Sequence, residues 1–199
     1  MQVIAFDFGN VLGFFDHRIT LNRLAAHTDM SAEEMFAAVY DSSLEDAFES
    51  GRISGTDFVR QVRQLCRLSC DDQVMIEAWS DIFHPNHDVC ELIPTLATRH
   101  RLLLGSNTNE LHARHYRRQF AGTLRHFEHL VLSHEIGVRK PQSEFFEHCR
   151  RLADCPAAEC LFIDDLPDNI AGARACGWNG IVYRNSNDLQ QRLAEFGIG

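Results

Sequence analysis

Two adjacent carboxylates, Asp164 and Asp165, directly follow the apolar run Leu161-Phe162-Ile163, and a third, Asp7, directly follows Val3-Ile4-Ala5-Phe6. Neighbouring carboxylates at a buried strand end repel each other unless a cation lies between them, so the pair reads as a site for a hard divalent ion. The bland alternative is that one of them caps the next helix. For Asp7 taken alone, capping a turn is an equal alternative. A hydroxyl closes another apolar run, Arg101 to Leu104 before Gly105-Ser106-Asn107. Lys140 precedes Pro141, whose missing N–H suits a first helical position, so the sequence predicts the ammonium beside the start of a helix. The usual fate of a lysine is a solvated surface. The pairs His84 and His87, His112 and His115, and His126 and His129 have a spacing that zinc sites use on helices. No Cys-x-x-Cys or His-Glu-x-x-His pattern accompanies them.

These residues need elements to position them. Val3 to Phe6, Arg101 to Leu104, Leu130 to Leu132, Leu161 to Ile163 and Ile181 to Tyr183 are short apolar runs of the kind that form parallel strands covered on both faces. Amphipathic stretches separate the last four: Leu111 to Phe120, Pro141 to Leu152, and Asp168 to Cys176 closed by Gly177. This rhythm predicts an α/β fold with a doubly wound, mostly parallel sheet and right-handed crossovers. Ligands bind at the carboxyl ends of such strands, where Asp7, Ser106 and the Asp164-Asp165 pair all fall. From Asp16 to His84 only helical patterns occur. Ser31-x-x-Glu34 is a capping box, and Phe58, Val62 and Leu65 share one helical face. Residues 16–84 are therefore expected to be an inserted helical cap on a core formed by 1–15 and 85–199.

The 199 residues suit one core carrying a smaller insertion. Hydrophobic residues make up 45% and charged residues 24%, the balance of a globular protein. Nineteen basic against 28 acidic side chains give a formal charge of −9, which disfavours nucleic acid and anionic membrane surfaces as partners. Met1 to Phe6 has no basic stretch before it and no cleavage site after it, and no apolar run is long enough to span a bilayer. Seven scattered cysteines suit reduced thiols, so a cytoplasmic protein is expected. The sequence does not define an oligomeric state.

Four segments in order, Asp7-Phe8-Gly9-Asn10-Val11, Gly105-Ser106-Asn107-Thr108-Asn109, Arg139-Lys140-Pro141 and Phe162-Ile163-Asp164-Asp165-x-x-x-Asn169, resemble the four motifs of the haloacid dehalogenase superfamily. They span nearly the whole chain. The resemblance implies a magnesium-dependent phosphatase acting on a small phosphorylated metabolite, such as an anomeric sugar 1-phosphate, through an aspartyl-phosphate. It implies Asp7 as nucleophile, and Ser106 with the Asn107 N–H as a phosphate-oxygen grip. Lys140 would pair with both Asp7 and phosphate. Asp7, the Gly9 carbonyl and Asp165 would hold magnesium, with Asp164 and Asn169 supporting them. Phosphoryl transfer needs a nucleophile, charge neutralisation and fixed donors, and these segments supply all three.

One position departs from the pattern. Family phosphatases place a second Asp two residues after the nucleophile as proton donor and base, and here that residue is Gly9. A backbone carbonyl can still hold metal there, but the proton carrier is missing. The subgroup that resembles this chain in its Asp-x-Gly-Asn-Val opening is the bacterial alpha-D-glucose-1-phosphatase type, related to the N-terminal phosphatase half of soluble epoxide hydrolases. Asp16, His17 and Glu45 are candidates for a replacement acid. Phe48, Trp79 and Phe83 are candidates to line the site, although cap core is the commoner fate of such residues. Gly9 also admits a non-catalytic phosphate- or partner-binding protein. A 2-haloacid dehalogenase is the weakest alternative, because that group lacks the Asp164-Asp165 pair.

Overall fold

The structure is a computed structural model describing all 199 residues. Its centre is a five-stranded parallel sheet of β1 (Val3–Phe6), β4 (Arg101–Ser106), β5 (His129–Leu132), β6 (Cys160–Asp164) and β7 (Asn179–Val182), in the order β5-β4-β1-β6-β7. The two flanks of β1 are filled in opposite directions along the chain, so the strand order switches at β1. Alternate residues of each strand enter different cores, as the two-residue period of a strand requires. Ile4, Phe6, Leu102, Leu104, Leu161 and Ile163 belong to one cluster, with Val89 and Ile93 of α6 (His87–Leu96), Ala113 and Tyr116 of α7 (Glu110–Gln119), and Leu189 and Leu193 of α12 (Ser186–Glu195). Val3, Ala5, Leu103 and Phe162 face the other way, onto Phe145, Phe146 and Cys149 of α10 (Ser143–Ala153) and Ile170 and Ala173 of α11 (Pro167–Ala175). Both faces are covered, which is why these strands read as unbroken apolar runs. Two short helices, α8 (Ala121–Leu124) and α9 (Ser133–Ile136), flank β5 in sequence.

Between β1 and α6 the chain builds a separate helical layer: α1 (His17–Leu24), α2 (Ala32–Tyr40), α3 (Leu44–Glu49), α4 (Gly55–Leu65) and α5 (Asp72–Ser80). The layer has its own core, with Leu21, Met35, Phe48, Phe58, Val62, Met75 and Trp79 buried together. Ser31 and Glu34 form the reciprocal capping box at the start of α2. A two-stranded antiparallel ribbon, β2 (Gly13–Phe15) and β3 (Phe83–Pro85), joins the layer to the sheet. The ribbon is absent from the sequence-based expectation because three-residue strands carry no readable periodicity. No helix is long and apolar enough to cross a membrane.

Several boundaries differ from expectation by one or two residues, among them β4, which runs on to Ser106, and β6, which runs on to Asp164. The last strand begins at Asn179 and ends at Val182, two residues ahead at its start and one short of Tyr183 at its end. The helix expected from Pro141 begins at Ser143. Residues 139–142 instead form a turn, with Gln142 N–H donating to the Arg139 carbonyl at 2.9 Å and Arg139 N–H to Gln142 Oε1 at 3.0 Å. Lys140 thus sits in a turn, held by other means than a helix start.

Candidate active site

Parallel strands deliver their carboxyl ends to one edge of the sheet. Phe6 is level with Leu104 on one side and Ile163 on the other, so Asp7, Ser106 and Asp164 emerge side by side at the switch point. The Lys140 ammonium lies 2.7 Å from Asp7 Oδ1 and 2.7 Å from Asp164 Oδ2, almost wholly buried. Its backbone is clamped by one side chain: Asn107 Nδ2 donates to the Lys140 carbonyl at 3.0 Å, and Lys140 N–H donates to Asn107 Oδ1 at 2.8 Å. The Asn107 side chain is thereby spent on positioning the lysine, leaving its main-chain N–H as the group for which the family resemblance implies a phosphate oxygen. Ser106 Oγ is buried and meets only its neighbour's carbonyl, at 3.4 Å.

The two members of the acidic pair differ sharply. Asp164 is fully buried and saturated: Lys140 Nζ reaches Oδ2, Leu166 N–H donates to Oδ1 at 2.9 Å, and Asn169 Nδ2 lies 3.0 Å from both oxygens. Asp165 is half-buried and accepts one side-chain bond, from Asn10 Nδ2 at 3.0 Å. Asn10 adopts φ 54°, a left-handed conformation that Asn tolerates better than most residues. Its role was missed, although it sits in the first motif. Asp7 Oδ1 accepts from Phe8 N–H at 2.7 Å as well as from Lys140.

One oxygen each of Asp7, Asp164 and Asp165 can be chosen within 4.8 Å of one another. Three carboxylates against one ammonium leave two negative charges in excess. Burial pushes the Asp7 carboxyl above the ordinary range, with Lys140 opposing and Asp164 and Asp165 reinforcing the shift. Burial likewise pushes Asp165 up, opposed by the Asn10 hydrogen bond. For Lys140, burial acts downward but Asp7 and Asp164 outweigh it, so the ammonium stays charged. Hard oxygen donors with uncompensated charge fit a small divalent cation.

The helical layer closes over this edge. A cavity of about 60 Å³ is lined by Gly9, Ser106, Asn107 and Thr108 from the sheet side, Phe15 and Phe83 from the ribbon, and His17, Glu45 and Glu49 from the layer. A larger surface cleft of about 760 Å³, between Arg23, Glu77, Asp81, Arg114 and Arg118, contains none of the sheet-end residues. Arg139 pairs with Glu49 at 2.7 Å and with Asp46, and Ser133 Oγ donates to the Glu49 carbonyl at 2.6 Å. Gly51, at φ 65°, packs so closely that a Cβ would lie 2.2 Å from the His134 carbonyl oxygen. Of the aromatic candidates, Phe83 lines the cavity, whereas Phe48 and Trp79 are fully buried in the layer's core. His112 is occupied by Asn109 and the Trp79 carbonyl.

The haloacid dehalogenase-like hydrolase profile matches residues 1–177, and the chain belongs to that family. A D-ribitol-5-phosphate phosphatase of Bacteroides thetaiotaomicron is 24% identical over 197 residues, covering 96% of this chain and 95% of that protein. A sesquiterpene phosphatase of Aspergillus oryzae is 38% identical over 60 residues, 30% of this chain and 31% of its own. Among solved structures, HAD family enzyme BT-2542 of B. thetaiotaomicron superimposes with a TM-score of 0.86 at 21% identity, over 97% of this chain and 98% of that one. The same enzyme has been solved in complex with magnesium and inorganic phosphate. The L-2-haloacid dehalogenase of Xanthobacter autotrophicus gives 0.64 at 15% identity, over 100% of this chain and 84% of that one. At such identities the structural likeness establishes the shared fold.

Proposed function

We propose that this protein is a magnesium-dependent phosphatase that hydrolyses a small phosphorylated metabolite, of the sugar- or polyol-phosphate class, through an aspartyl-phosphate on Asp7. The observation that carries the reading is the Asp7–Lys140–Asp164 contact beside Asp165. It sets a strand-end carboxylate beside a buried cation, in a cluster short of two positive charges. Asp7, the Gly9 carbonyl and Asp165 would hold magnesium, which supplies charge neutralisation and orientation for the phosphoryl group. Asp7 supplies the attacking oxygen. Lys140 offsets charge on Asp7 and on the phosphoryl oxygens, and its place is fixed by Asn107 and Asp164. Ser106 Oγ and the Asn107 N–H grip a phosphoryl oxygen, and Asn169 holds Asp164. Residues 16–84 act as a cap that selects substrates over a core of 1–15 and 85–199. The seven unpaired thiols fit a reducing compartment such as the cytoplasm. A dehalogenase is disfavoured by the Asp164-Asp165 pair, since that chemistry requires no metal.

A panel of phosphorylated metabolites assayed with and without magnesium tests the reading. Phosphate is released only with the metal, and polyol and sugar phosphates lead the panel. Failure of every phosphate ester with saturating magnesium would remove it. Metal assignment is tested separately by calorimetric titration: Asp165→Asn weakens magnesium binding more than Asp164→Asn does, while Asp164→Asn lowers the melting temperature more, because its carboxylate anchors a buried network. Equal affinities, or the opposite order, would transfer the ligand role to Asp164.

A further inference from the structure

Gly9 leaves the family's proton carrier without a side chain, and the space is not vacant. A Cβ built on Gly9 would lie 3.0 Å from Phe15 Cε1 and 4.0 Å from Asp7 Oδ2. The Phe15 ring therefore occupies the ground over Gly9, and a carboxylate there would have to displace it. Any replacement must come from the other wall of the cavity, where the helical layer presents His17, Glu45 and Glu49.

Of the four acids and bases near that wall, two are paired with arginines and a third, His17, is a neutral imidazole. Asp16 caps α1 and pairs with Arg18 at 2.7 Å, and its carboxyl is held down at about 2, first by the Arg18 hydrogen bonds. Glu49 is tied to Arg139. His17 packs 5.1 Å from the Phe15 ring and 4.3 Å from the Tyr40 ring, and burial pushes it down, which leaves a neutral imidazole. Glu45 lines the same cavity as Gly9 and Ser106, and its carboxylate, on α3, makes no side-chain hydrogen bond or ion pair within the chain. His17 Nδ1, in the same lining, is buried with no partner, so this wall holds a polar atom that a hydroxylated leaving group would satisfy.

We propose that Glu45 is the proton donor and acceptor of the reaction, presented from the helical layer in place of the carboxylate absent at Gly9. The proposal rests on the phosphatase reading and deepens it. In the first step Asp7 forms a bond to phosphorus, the bond from phosphorus to the leaving oxygen breaks, and that oxygen takes the Glu45 proton. In the second, water attacks the same phosphorus, its proton passes to the Glu45 carboxylate, and the Asp7–phosphorus bond breaks to release inorganic phosphate. The environment suits both roles. Burial, then Glu49, push the Glu45 carboxyl up to about 8, with Arg139 acting against them. Asp46 and Glu49 already neutralise Arg139, and the other titratable groups on this side, Tyr40 and His17, are uncharged. Glu45 is thus protonated at neutral pH, as a general acid must be.

The test compares wild type and Glu45→Gln, with magnesium saturating, on a primary alkyl phosphate and on 4-nitrophenyl phosphate, whose leaving group needs no proton. For the alkyl ester kcat/KM falls on the order of 10²-fold or more, while for the aryl ester it is nearly unchanged. Rapid mixing with the aryl ester then shows a burst of nitrophenol, since dephosphorylation lacks its base. In wild type, alkyl ester kcat/KM declines as pH rises through about 8, and the aryl ester lacks this limb; this measurement holds even if the variant folds poorly. Equal losses on both esters, no loss, identical pH limbs, or a selective alkyl loss from His17→Gln instead would overturn the assignment. Inactivity of wild type on every ester would sink the phosphatase reading itself, a separate outcome.

Discussion

Asp7→Asn yields a folded protein whose phosphate release falls by several powers of ten, on the order of 10⁴ or more, because an amide cannot form the covalent intermediate. The same substitution leaves the melting temperature of the metal-free protein unchanged or higher. In the absence of a divalent ion, three carboxylates face one ammonium, and the amide removes one of the surplus charges while keeping the shape. Lys140 retains Asp164 as its partner. Phosphate release at constant magnesium and a metal-free thermal melt together check the prediction. Substantial turnover in a well-folded variant would exclude Asp7 as nucleophile, and a large drop in melting temperature would mean that Asp7 holds the fold as well.

Lys140→Met abolishes activity and costs about 3–5 kcal/mol of stability, the usual consequence of removing one partner from a buried ion pair. That loss corresponds to a fall in melting temperature of roughly 6–20 °C for a chain of this size. The deficit depends on pH with a definite sign. Asp7 has a folded pKa raised from 3.8 to about 7, and losing Lys140 removes the influence that opposes the rise. A carboxyl raised on folding carries no penalty below its unfolded value, where it is protonated in both states. It destabilises increasingly as pH climbs toward the folded value. The gap between wild type and Lys140→Met therefore narrows as pH is lowered from 8 toward 5. Parallel melting curves across that range, with a constant gap, would show that the lysine's contribution is packing and not charge.

The sheet was readable because strands covered on both faces must be apolar throughout, and Val3 to Phe6 or Leu161 to Ile163 admit few other interpretations. The last strand was misplaced at its start because Asn179 and Gly180 lack the apolar signature, although Asn179 is held by its side chain, which donates to the Ala158 carbonyl at 2.8 Å. Lys140 was identifiable as a residue, but its support was not. The expectation rested on Pro141 opening a helix, whereas the clamp comes from Asn107, 33 residues earlier, through contacts with no local sequence signature. The contrast between a saturated Asp164 and a sparsely bonded Asp165 likewise depends on Asn10 and Asn169, from opposite ends of the chain. Glu45 could be named among acids of the helical segment, but only tertiary packing separates it from Asp16, which turns away to Arg18.

The small cavity and the Arg139 contacts have a kinetic corollary. About 60 Å³ is far below the several hundred that enclose typical small-molecule ligands. On the proposed reading of residues 16–84 as a cap, admitting a metabolite would separate the helical layer from the sheet edge and break the pairs of Arg139 with Asp46 and Glu49. Arg139 and Lys140 are consecutive, one paired with the helical layer and the other with Asp7 and Asp164 at the sheet edge. On that reading, departure of product would loosen the segment that carries the lysine and tie the residence time of phosphate to ionic strength, through a contact outside the sheet-end carboxylate cluster.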